Sequence, residues 1–115
     1  MTKKILLVED ETLIALDIEF AIADANCDVI GTAQTVDEGL SMLNSMPCDG
    51  VVLDANLGGH SVQPIIEHLQ AKALPYIVVS GYTRDQLEFL PEEAVLIGKP
   101  FSMTELVDAI RRHLG

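Results

Sequence analysis

Short, nearly unbroken apolar runs alternate with amphipathic stretches five times along this chain, the pattern of a parallel sheet covered by helices. The runs predict strands at residues 4–9, 28–33, 50–54, 76–80 and 95–98. Runs such as Ile5-Leu6-Leu7-Val8 and Val51-Val52-Leu53 lack polar alternation, as strands buried on both faces do. A first helix is predicted over 11–24, where Leu13, Leu16, Phe20 and Ala23 recur near the helical period as an apolar face. A second opens with Thr35-Val36-Asp37-Glu38, a capping-box pattern, and runs to Ser45. A third, over 62–72, carries Pro64 in its first turn, where a missing N–H costs little. A fourth spans 84–89, a polar run of poor periodicity closed by Pro91. The fifth begins with the capping box Ser102-Met103-Thr104-Glu105 and buries Leu106, Ile110 and Leu114. It ends at Arg111-Arg112-His113, where cations suit the helix dipole.

Composition narrows the class. A chain of 115 residues with 49% apolar content is one domain, residues 1–115, able to bury a single core. No apolar run approaches the ~20 residues needed to cross a bilayer, and MTKKILLVED lacks a signal peptide's apolar region and cleavage site. Cys27 and Cys48 form no CxxC and no Cys/His cluster, as expected for reduced thiols in a cytoplasmic protein. A net charge of −11 repels phosphate backbones, so neither nucleic acid nor membrane is an expected partner. No output domain is expected within residues 1–115.

The candidate chemistry lies at the strands' carboxyl ends, the edge where open α/β sheets bind ligands. Glu9-Asp10 follows the first strand, Asp54 ends the third, Ser80 ends the fourth, and Lys99-Pro100 follows the fifth. Three carboxylates gathered at one edge repel one another unless a hard cation such as Mg²⁺ sits among them, and Lys99 adds a second positive charge. A metal, a carboxylate nucleophile and a lysine together suit a transferring phosphoryl group. Asp54 is the expected nucleophile. Asp10 and Glu9 are expected to hold the metal, Glu9 through water, although Asp10 also suits a helix N-cap. Asn56 offers a backbone carbonyl to the metal and a side chain to the phosphoryl group, or serves only as a turn residue before Gly58-Gly59. The Ser80 hydroxyl suits a phosphoryl oxygen, and Lys99-Pro100 invites a cis bond that aims the amine into the site.

Acid pair, Asp, Ser, then Lys-Pro-Phe in this order resembles the receiver domain of two-component response regulators, over the whole chain. Asp54-Ala55-Asn56-Leu57-Gly58-Gly59, Val79-Ser80-Gly81-Tyr82 and Lys99-Pro100-Phe101 are similar to alphaproteobacterial single-domain receivers with a Phe-Ala-Thr-Gly-Tyr-type motif. The resemblance implies a flavodoxin-like, doubly wound five-stranded parallel sheet of order 2-1-3-4-5 with five helices. It implies a signalling phosphoacceptor rather than an enzyme acting on other substrates. The phosphoryl group would come from a histidine kinase or histidine phosphotransfer protein onto Asp54, with Mg²⁺. The outcome would be switched binding of a protein partner, or a role as relay or phosphate sink. Leu96 stands where many receivers carry a switch Tyr or Phe, so Tyr82, beyond Ser80 and Gly81, is the substitute expected to modulate the site. A haloacid-dehalogenase-type phosphatase uses similar groups, but with its nucleophile on the first strand and a second Asp where Asn56 stands here.

Overall fold

The protein, a computed structural model, is described over residues 2–115. In chain order its elements are β1 (Lys4–Val8), α1 (Thr12–Asp24), β2 (Asp28–Ala33), α2 (Val36–Ser45) and β3 (Gly50–Asp54). Two short strands, β4 (Asn56–Leu57) and β5 (His60–Ser61), precede α3 (Gln63–Ala71), β6 (Tyr76–Ser80), β7 (Val95–Gly98) and α4 (Met103–His113). The five long strands form one parallel sheet in the order β2-β1-β3-β6-β7. With the small antiparallel β4–β5 ribbon left out of the count, this is the expected flavodoxin-like order 2-1-3-4-5.

Successive residues of a strand point to opposite faces, and here both faces are covered. Ile5, Leu7, Val52, Ile77 and Val79 pack beneath α1 and α4. Leu6, Val8, Val51, Leu53 and Val78 pack beneath α2, α3 and the segment before β7. This is why the strand sequences show no alternation. The helix starts follow their capping signals: Glu38 N–H donates to Thr35 Oγ1 at 3.1 Å, and Glu105 N–H to Ser102 Oγ at 3.0 Å. Leu106, Ile110 and Leu114 are buried, as expected.

Two expectations are corrected. Four α-helices form rather than five, because residues 84–89 make only one 3₁₀ turn, Arg84–Gln86. That polar run has no apolar stripe to bury as a helix. The Arg84 guanidinium instead donates to the carbonyl oxygens of Pro91, Glu92 and Ala94 at 3.0, 3.4 and 2.6 Å, tying down a loop that buries Leu87 and Leu90. The second correction concerns α1. Its buried residues are Ala15, Ile18, Ala21 and Ile22, whereas Leu13, Leu16 and Phe20 are 78%, 45% and 66% exposed, with Ala23 also exposed. A helix that is apolar nearly all round carries two stripes of similar period, and period alone does not say which one meets the sheet. The two alanines of the buried stripe, Ala15 and Ala21, let α1 lie close to the strands and to α4.

Ile22→Ala should therefore cost about 2–5 kcal/mol, and Phe20→Ala less than about 0.5 kcal/mol, in urea unfolding. The reverse order of sensitivity would mean that α1 is rotated about its axis.

Candidate functional site

Sheet register brings distant stretches of sequence to one edge. Val8 lies against Leu53, so Glu9 follows beside Asp54; Asp54 lies against Val79, and Ser80 against Gly98. Backbone hydrogen bonds carry the alignment past the strand ends, from Glu9 N–H to the Ala33 carbonyl at 2.9 Å and from Lys99 N–H to the Ser80 carbonyl at 2.8 Å. Among the described residues, Glu9, Asp54 and Ser80 are the buried polar or charged side chains. A buried polar group is the informative departure from ordinary packing, and all three lie at this edge.

Lys99 draws the acids together. Its Nζ is 3.0 Å from Asp54 Oδ2, 3.2 Å from Glu9 Oε1 and 4.0 Å from Glu11 Oε1, and the Lys99–Pro100 peptide is cis. The other oxygen of Asp54, Oδ1, accepts the Asn56 N–H at 3.0 Å, so the carboxylate is held at both ends. One oxygen from each of Glu9, Asp10, Glu11 and Asp54 lies within 4.8 Å of the others, a set of hard donors that fits a Mg²⁺-class cation. Glu11 was not singled out in the sequence; its place beside the acid pair was the available signal. Above these groups opens a cleft of about 370 Å³ bordered by Asp10, Asp54, Asn56, Ser80, Tyr82 and Lys99.

The crowding perturbs protonation. Burial, then the hydrogen bond and charge of Asp54, raise the Glu9 carboxyl from 4.5 to about 7. Burial works against the Lys99 ammonium, but the hydrogen bonds and charges of Asp54 and Glu9 outweigh it and leave its pKa raised.

The sequence matches the response regulator receiver domain over residues 5–111. The chain belongs to that family. It is 31% identical over 121 residues to the phyllosphere-induced regulator PhyR of Methylorubrum extorquens, covering 99% of this chain and 44% of that protein. PhyR from Brucella abortus is similar in structure, with a TM-score of 0.86 at 28% identity over 99% of this chain and 48% of that one. SdrG from Sphingomonas melonis Fr1 gives 0.79 at 30% identity over 95% and 93%. The chain thus spans less than half the length of the PhyR proteins it matches. The likeness to alphaproteobacterial receivers expected from the sequence is shown by these relatives. Receiver domains are signalling phosphoacceptors that bind Mg²⁺ at an acidic pocket and interact with histidine kinases or phosphotransfer proteins. No helix among the described residues is long and apolar enough to cross a membrane.

The residues expected to modulate this receiver are placed differently from one another. Leu96 lies against Val78 in the sheet, half-buried and packed into the core, away from the cleft. Tyr82 stands at the cleft rim, its N–H donating to Ser80 Oγ at 2.9 Å and its Oη accepting from Asn56 Nδ2 at 3.2 Å. Gly81, between Ser80 and Tyr82, borders the same cleft. The Asn56 side chain is therefore engaged with Tyr82 on one side and, through Oδ1, with Gly59 N–H at 2.9 Å on the other.

Glu9 makes stability depend on pH. Folded, it keeps its proton to about pH 7, whereas its ordinary value is 4.5, so the metal-free native state binds the extra proton between these values. Its contribution to stability is present at low pH and is lost as pH rises through that window. Glu9→Gln should remove this component and raise the melting temperature above about pH 7 in chelator. Thermal unfolding of both proteins across the window checks it; an unchanged slope would assign the titration to another group.

Proposed function

We propose that this receiver takes a phosphoryl group from a phosphohistidine of a histidine kinase or histidine phosphotransfer protein onto Asp54, with Mg²⁺. The aspartyl phosphate then switches the binding of a protein partner, or the domain serves as a relay or phosphate sink. The observation that carries this reading is the buried Asp54 carboxylate, oriented by Asn56 N–H on one oxygen and Lys99 on the other beside the acidic cluster. An Asp54 oxygen attacks phosphorus, the P–N bond to the donor imidazole breaks, and the departing imidazole nitrogen keeps the electron pair. Asp10, Asp54, the Asn56 backbone carbonyl and, through water, Glu9 would hold Mg²⁺, which supplies neutralising charge for the transferring group. Lys99, already against Asp54, pairs with a phosphoryl oxygen, and Ser80 donates its hydroxyl to another. In this reading residues 1–115 act as one cytoplasmic receiver domain that catalyses only its own phosphorylation and dephosphorylation.

The exposed stripe of α1 supports a docking place for the phosphodonor. Leu13, Leu16, Phe20 and Ala23 recur at intervals of three and four, the spacing on which a second helix packs. The charged residues of α1, Asp17, Glu19 and Asp24, are all acidic, so an apolar helical seam flanked by Lys or Arg is the complement. Glu11, the N-cap of α1, lies 4.0 Å from Lys99, so a helix lying along α1 ends beside the cleft.

A small phosphodonor with Mg²⁺ should add one phosphoryl group to the wild type and none to Asp54→Asn, read by intact mass. Label retained by the variant would overturn the assignment. Phe20→Lys should slow transfer from the cognate kinase, found by profiling the host's kinases, by about tenfold, a loss of about 1.4 kcal/mol. Its labelling by the small phosphodonor should not change. Equal kinase rates would move the docking surface off α1.

A further inference from the structure

The folded chain sorts its cations by end. Each helix runs back from the strands' carboxyl ends, so Lys3, Lys4, Lys72, Arg111 and Arg112 lie at the end of the sheet opposite Asp54. At the carboxyl end the cations are Arg84 and Lys99, and both are engaged internally. Arg84 donates to the carbonyl oxygens of the loop before β7, and Lys99 pairs with the acids of the cleft. Among the described residues, the ion pairs are those of Lys99 alone. Asp37, exposed in the first turn of α2, therefore keeps its charge uncompensated. It lines a cleft of about 660 Å³ between the start of α2 and the β4–β5 ribbon, together with Gln34, Val36, Leu57 and His60. Asp10 and Gly58 border both this cleft and the reaction cleft, and a side chain at Gly58 would begin 3.9 Å from Asp10 Oδ2. The two clefts thus form one continuous surface.

We propose that this second cleft seats a basic turn of the phosphodonor protein, an arginine or lysine of the donor pairing with Asp37 while its phosphohistidine faces Asp54. The inference rests on the phosphoacceptor reading above and adds a second foothold for the donor. A phosphoryl group is itself an anion, so a phosphohistidine is repelled as it approaches an end where the unpaired charges are negative. A divalent cation offsets that repulsion inside the reaction cleft. Cations carried on the donor, beside its phosphohistidine, offset it over the surrounding ground. Continuity of the clefts says where such a cation sits: a donor that reaches Asp54 covers the rim at Asp10 and Gly58, and beyond that rim stands Asp37. A volume of about 660 Å³ is more than one side chain fills and suits a turn. Val36 and Leu57 offer apolar wall to the stems of its long cationic side chains. Because α1 and α2 cover opposite faces of the sheet, a donor lying along α1 and seated here straddles the reaction cleft, which fixes its orientation.

Asp37→Lys reverses the charge at an exposed position, and Asp37→Asn removes it at nearly constant size. Transfer from the phosphorylated cognate kinase should slow about tenfold in Asp37→Lys at low ionic strength, and by less in Asp37→Asn. The gap from the wild type should narrow as salt rises. Glu93→Lys makes the same charge change at the opposite end of the sheet, just before β7, and should slow transfer by less than about twofold. Labelling by a small phosphodonor, and the rise in melting temperature with Mg²⁺, should match the wild type in all three variants. A wild-type transfer rate in Asp37→Lys overturns the docking place. An equal loss in Glu93→Lys also overturns it, since net charge would then be the cause. So does slowed labelling of Asp37→Lys by the small phosphodonor, because Asp37 would then act on the reaction itself. A loss confined to binding of a downstream partner gives the cleft to that partner instead. Failure of the wild type to be labelled by the small phosphodonor overturns the phosphoacceptor reading, and the donor's foothold with it.

Discussion

Two carboxylates, Glu9 and Asp54, lie out of water at one sheet edge and share a single ammonium. Removing a carboxylate from water is unfavourable unless charge and hydrogen bonds compensate it, and Lys99 compensates both only in part. Glu9 answers by holding its proton to near neutrality. Asp54 keeps two partners, one on each oxygen. Asp10 and Glu11 add further negative charge at the mouth, and the four carboxylates together are a set of hard oxygen donors that suits a divalent cation.

Such crowding persists because the sheet does not let it relax. The three central strands β1, β3 and β6 are buried along most of their length, and their pairing sets which residue ends at the cleft. A slip of one residue would turn each apolar set to the wrong face, so the register is held by the whole core. Freedom to move is left to the connections. Gly58 and Gly59, at φ 58° and 86°, make the tight β4–β5 turn whose backbone caps the Asn56 side chain, a conformation that L side chains rarely adopt. Arg84 similarly ties the loop before β7 with three backbone hydrogen bonds where a helix would otherwise lie. Rigid strand ends thus hold the acids and the lysine, while tethered loops carry Asn56 and Tyr82.

Helix α1 divides its apolar residues between two duties. Ala15, Ile18, Ala21 and Ile22 face the sheet and α4, whereas Leu13, Leu16 and Phe20 face solvent. The core beneath that exposed stripe is complete without it, and the stripe is the surface on which the proposed docking of the phosphodonor rests.

Local sequence was sufficient for the five strands, for the caps at Thr35 and Ser102, and for the meeting of Glu9, Asp10, Asp54, Ser80 and Lys99. Parallel strands buried on both faces leave continuous apolar runs, and whatever follows such a run emerges at the same edge. Other features depended on neighbours distant in sequence. Which stripe of α1 is buried was decided by how closely the helix approaches the sheet and α4, and both stripes have the same period. Residues 84–89 were kept from being a helix by carbonyls at 91, 92 and 94, partners that no local propensity encodes. The Asn56–Tyr82 bond joins positions 26 residues apart, through loops brought together only when β3 and β6 pair. Periodicity and strand-end position are properties of a segment; facing, tethering and side-chain pairing belong to the space between segments, which exists only in the folded chain.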